Sequence, residues 1–172
     1  WLANCAPMLE LFHTGGDPYI DMAQGIYKRE LNKKDNPSER GLGKIAVLGL
    51  GYAMGWEKFQ HTVWLSEGLW LEDEFCQMIV DVYRKEKCPE VPKLWKATEK
   101  AAIAAVQEGG RHYVGGDDLG FGAVGYFVEK AFLHCELPSG RLLAYLYPEV
   151  HSRVTWRFPA KNEKDKDCTV AF

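Results

Sequence analysis

The chain has 172 residues, 47% of them apolar, with six tryptophans and a formal net charge of −3. That length and apolar content can bury a real core, which excludes a disordered chain. The mildly acidic balance gives no general affinity for nucleic acid, and the lack of about 18 uninterrupted apolar residues excludes a membrane-spanning helix.

The first residues, WLANCAPMLELFHTGG, carry neither a basic leader nor a long apolar stretch. A start at Trp1 without methionine, and an end at CTVAF that reads as mid-strand, predict a piece of a longer protein. Met8 to His13 reads as a short helix after Pro7. A second helix starts at Asp17, as N-cap, with Pro18 at its first position. The polar loop NKKDNPSER follows. Tyr27 to Lys44 holds six basic residues against three acidic, a patch able to bind phosphates within about one Debye length.

Ser38 reads as the N-cap of a helix over about 38–55, SERGLGKIAVLGLGYAMG, which carries four glycines between Arg40 and Tyr52. LEDEFCQMIVDVYRKEKC places Phe75, Ile79, Val82 and Tyr83 at helical spacing behind an acidic first turn. PEVPKLWKATEKAAIAAVQEGG is a further helix, closed by Gly109 and Gly110. Trp64, Trp70, Phe75 and Trp95 read as packing residues. From residue 111 the pattern turns to strands, with a hairpin around 131–147 about the turn Pro138-Ser139-Gly140. The expected fold is α+β: a helical region over 1–110, then a β-rich segment over 111–172.

The five cysteines (Cys5, Cys76, Cys88, Cys135, Cys168) are scattered and odd in number, which points to reduced thiols in a cytoplasmic protein. The histidines His13, His61, His112, His134 and His151 lack metal-ligand spacing, so no metal site is expected. Asp117 and Asp118 in GGDDLG read as a solvated turn.

At 100° per residue, Lys44, Leu48 and Tyr52 follow Arg40 at roughly 40°, 80° and 120°, giving one face about 18 Å long. Leu42, Ala46, Gly49, Leu50 and Ala53 form an opposite, apolar face between roughly 180° and 280°. Arg and Lys one turn apart can hold a polyphosphate, the one as a fork and the other as a point charge. Leu48 and Tyr52 could lie against a sugar and a base. Gly51 and Gly55 fall on the ligand side, where missing side chains permit close approach. A phosphate loop is excluded, because Ser38 and Ile45 stand where it needs glycine and a hydroxyl residue. GLGKIA fits the loose dinucleotide fingerprint, but that motif must follow a strand.

The spacing Arg40-x-x-x-Lys44-x-x-x-Leu48-x-x-x-Tyr52-Ala53 resembles motif B of family A (polymerase I-like) DNA polymerases, R-x-x-x-K-x-x-x-[F/Y]-x-x-x-Y-G. WLANCAPMLELFHTGGDPYIDMAQGIY is similar to the segment after motif A in that family, and LEDEFCQMIVDVYRKEKCPEVPKLW to its fingers helices. LPSGRLLAYLYPEV is similar to the segment after the fingers in phage and prophage enzymes. The resemblance implies a fingers-type fragment of a palm-fingers-thumb enzyme, with dNTP and primer-template DNA as partners. It implies that Arg40 and Lys44 bind the triphosphate and that Tyr52 sits by the nascent pair. Leu48 replaces an aromatic residue, Ala53 replaces glycine, and Tyr19 replaces a phosphate-contacting histidine of some relatives. Gly51 and Arg141 are further candidate contacts to nucleotide or DNA. The aspartates of motifs A and C, which hold Mg²⁺ in the family, would lie outside this chain. No catalytic residue is therefore expected in it, and the fragment alone is expected to be inactive. The competing expectation is a non-catalytic nucleic-acid-binding module using the Lys28–Lys44 basic patch.

Overall fold

The computed structural model describes residues 2–116, 122–151, 156–157 and 169–170; Asp117, Asp118 and Cys168 lie outside the described residues. The fold is α+β. Among the described residues six α-helices occupy Ala6–His13 (α1), Pro18–Tyr27 (α2), Pro37–Leu50 (α3), Trp56–Glu67 (α4), Asp73–Asp81 (α5) and Glu90–Gln107 (α6). A π-helical segment, Val82–Lys87, continues α5. Four strands, Arg111–Val114 (β1), Val124–Glu129 (β2), Phe132–Glu136 (β3) and Leu142–Leu146 (β4), form an antiparallel sheet in chain order. Two-residue strands at Trp156–Arg157 (β5) and Thr169–Val170 (β6) pair separately.

The helical core is built by small and branched residues at helical spacing. Met22, Ala23 and Ile26 of α2 meet Leu42, Ala46 and Leu50 of α3, all buried. Phe59 and Val63 of α4 and Cys76 and Ile79 of α5 close over them, each fully buried. Truncating a residue such as Phe59 would cost about 3–5 kcal/mol. Gln60, the buried polar side chain of α4, donates to the Leu71 carbonyl at 2.7 Å and to Asp73 Oδ1 at 2.8 Å. It thereby satisfies itself and fixes the α4–α5 connection. Ala101 and Ala105 of α6 are buried, as are Val124, Phe127 and Cys135 of β2 and β3, and α6 packs on the sheet.

Three local expectations are corrected. The glycine-bearing helix runs over Pro37–Leu50 rather than 38–55, and Asn36, not Ser38, holds its N-cap position. Pro37 sets the start, because its fixed φ suits the first turn and its missing N–H is not needed there. The NKKDNPSER loop closes on itself, since Asn32 Oδ1 accepts the Lys34 and Asp35 N–H groups at 3.0 and 2.9 Å. Trp64 and Trp70 are exposed rather than buried, lying edge to face with ring centroids 6.3 Å apart. Trp64 is on the outer side of α4 and Trp70 in the loop beyond it, where nothing covers them among the described residues.

Candidate functional site

The expected binding face starts at the N-terminal half of α3. Arg40 is partly buried there, and its Nε donates to Asp17 Oδ2 at 2.7 Å. The guanidinium lies over the Tyr19 ring, 5.0 Å from its centroid. Asp17 is also the N-cap of α2: its Oδ1 accepts the Tyr19 and Ile20 N–H groups at 3.0 and 3.3 Å. Partial burial pushes the Asp17 carboxyl up. The hydrogen bond from Arg40, those from the Ile20 and Tyr19 amides, and the Arg40 charge outweigh it and hold the group below its ordinary 3.8.

Lys44 and Leu48 follow on the same side of α3, both exposed, and Lys44 makes no salt bridge among the described residues. Tyr52 is off the helix. It sits in the turn after Leu50 and is 88% exposed. Its N–H donates to the Gly49 carbonyl at 3.1 Å, and that of Ala53 to the Leu50 carbonyl at 3.2 Å. Ala53 is held at φ +60°, a left-handed conformation that suits glycine better than alanine. Arg84 ties this turn down, donating from Nη2 to the Met54 carbonyl at 2.9 Å while lying 5.7 Å over the Trp95 ring.

The glycines of α3 face protein. A Cβ on Gly43 would stand 2.1 Å from the Tyr19 carbonyl oxygen and 3.1 Å from the Ala23 nitrogen. Gly43 is therefore the point where α2 and α3 cross backbone to backbone. A Cβ on Gly49 would meet the Met54 thioether, and one on Gly51 the Val47 carbonyl and the Tyr83 hydroxyl. Gly51 thus packs inward, contrary to its expected place on the ligand side; Gly55 has open space.

Arg141 lies elsewhere, at the foot of β4 in the β3–β4 hairpin. The structure thus brings Tyr19 to Arg40, keeps Lys44 and Leu48 on one face, and sets Tyr52 at the end of that face. It also adds Asp17, visible in sequence only as a cap, and Arg84, which carried no signal. GLGKIA lies wholly within α3, which follows α2 and a polar loop with no strand before it among the described residues, so the motif does not sit in a strand-to-helix turn. Much of the basic patch is internally paired: Lys28 with Glu86, Arg29 with Glu39 and Arg40 with Asp17.

No family model matches the chain. It is 34% identical over 152 residues to a protein of Bacillus phage SP02 named DNA polymerase. The match covers 87% of this chain and 22% of that protein, so the chain spans about a fifth of the relative's length. The chain is therefore related to a phage DNA polymerase.

Proposed function

We propose that this chain is the fingers-type part of a family A, DNA-directed DNA polymerase, and that α3 binds the triphosphate of the incoming dNTP. The carrying observation is one edge of α3 that presents in succession the partly buried Arg40, Lys44, which makes no salt bridge among the described residues, and the exposed Leu48, with Tyr52 just beyond its end. The phage relative gives that edge a context in nucleotide chemistry.

Arg40 and Lys44 stand about 6 Å apart along the axis, the rise of four helical residues. That spacing suits adjacent phosphates, and phosphoryl transfer draws mainly on positioning and charge neutralisation. Leu48 offers an aliphatic surface and Tyr52 an aromatic one, suited to a sugar and a base pair. Among the described residues no group of three or more His, Cys, Asp or Glu stands together that could hold a metal ion. In this reading the magnesium ligands belong to the rest of the parent protein, which would act in the cytoplasm of a bacterial or phage-infected cell. The internal pairing of Lys28 and Arg29 weakens the alternative of a basic binding module.

The test is primer extension by the whole parent protein with primer-template DNA, dNTPs and Mg²⁺, beside the 172-residue chain alone. Extension by the parent and none by the chain is expected. A parent that binds DNA in a salt-sensitive way but never extends a primer would overturn the catalytic reading.

A further inference from the structure

We infer that Asp17 is a positioning residue for nucleotide binding: it clamps one edge of the Arg40 guanidinium so that the other is presented to phosphate. This rests on the assignment of α3 as the triphosphate-binding helix. A guanidinium has two hydrogen-bonding edges, one including Nε and one formed by the two terminal nitrogens. Asp17 takes Nε at 2.7 Å. Both Nη atoms of Arg40 have no hydrogen-bond partner among the described residues, which leaves the terminal edge for a bidentate phosphate contact.

Three contacts make the clamp rigid. The Asp17 carboxylate is fixed by its second oxygen, which caps α2 through the Tyr19 and Ile20 amides. The Tyr19 ring lies beneath the guanidinium, its centroid 5.0 Å away, and supports it from that side. The Gly43 crossing, with no side chain between α3 and the Tyr19 carbonyl, fixes the distance between the two helices. One side chain thus joins the start of α2 to the cation of α3, and a freely rotating arginine becomes an oriented fork. Lysine at position 40 could not do this, because an ammonium has no second edge.

The experiment uses the whole parent protein, with steady-state extension at saturating primer-template and varied dNTP. Asp17→Asn keeps an N-cap acceptor and so preserves α2. It is expected to raise the KM for dNTP about tenfold, the scale of one charge-assisted hydrogen bond, with primer-template affinity unchanged. The discriminating readout is additivity. Asp17→Asn combined with Arg40→Ala should be no worse than Arg40→Ala alone, because Asp17 acts only through Arg40. Asp17→Glu, which restores the charge, should recover part of the loss. Lys44→Ala separates the two claims. If it raises KM while Asp17→Asn does not, or if the Asp17 and Arg40 effects add, the clamp is refuted and α3 keeps its nucleotide. If Lys44→Ala and Arg40→Ala are both without effect, the binding assignment falls and the clamp with it.

Discussion

Replacing Gly43 with alanine tests how α2 and α3 meet. The added Cβ would lie 2.1 Å from the Tyr19 carbonyl oxygen, against ordinary contact beginning near 3.4 Å. The obstacle is backbone, so no side chain can swing away; the helices must part by about 1 Å at their tightest point. Overpacking of that kind costs about 1–3 kcal/mol, and this site belongs at the upper end. Alanine returns about 1 kcal/mol of helix propensity. The net expectation for Gly43→Ala is a loss of about 2 kcal/mol, or roughly 4–8 °C in Tm for a chain of this size. Gly41→Ala is the control: its Cβ would meet only the Glu67 carboxylate at 3.2 Å, the far end of a flexible side chain. That variant should gain up to about 1 kcal/mol. Urea unfolding followed by tryptophan fluorescence reads both. A Gly43→Ala protein as stable as the parent chain with an unchanged m-value, or equal damage from Gly41→Ala, would refute the backbone crossing.

Ala53→Gly should stabilise by about 0.5–1 kcal/mol, since relief of the φ +60° conformation exceeds the added freedom of the unfolded chain; a lower Tm would mean the strain is absent. Cys88 is buried, and its burial and the neighbouring Cys5 push its thiol up to about 12. The thiolate is the nucleophile, so Cys88 should resist alkylation at pH 8 until denaturant is added; rapid labelling of the native chain, located by peptide mapping, would contradict this. Asp17 has a folded-state value below its ordinary 3.8, so its contribution is present above that value and is lost as pH falls through the depressed one. The difference in urea midpoint between the wild-type chain and Asp17→Asn should be full at pH 7 and shrink as the pH is taken below the ordinary 3.8 and through the depressed value. A difference that persists unchanged at pH 2 would exclude the Arg40 pair as its source.

The α+β class is legible in the sequence because its two signals are local. Helical periodicity from Leu42 to Leu50 and glycine-punctuated aromatic runs after residue 111 need no tertiary information. The proposed binding face of α3 is legible for the same reason as far as Leu48. Beyond it, the wheel carried Tyr52 and Ala53 along a helix that stops at Leu50. At the stop Met54 packs close to Gly49, and Arg84 reaches the Met54 carbonyl across 30 residues of chain, a contact that local periodicity does not show. The resembled motif has glycine where this chain has Ala53, and Ala53 stands at φ +60°, a conformation that suits glycine. Gly51 reads as space for a ligand because a sequence does not show what lies opposite; it faces the Val47 carbonyl and the Tyr83 hydroxyl instead. Asp17 was legible as a cap, but its second oxygen meets a side chain 23 positions away.

The central claim, that α3 holds the triphosphate of an incoming nucleotide, is tested most directly by Lys44→Ala in the whole parent protein. Lys44 is exposed and makes no salt bridge among the described residues, so its loss should leave stability nearly unchanged. Single-nucleotide incorporation should lose about 2–4 kcal/mol in kcat/KM, the scale of one charged contact to the transition state, with primer-template affinity intact. An unaltered kcat/KM would remove α3 from the nucleotide site.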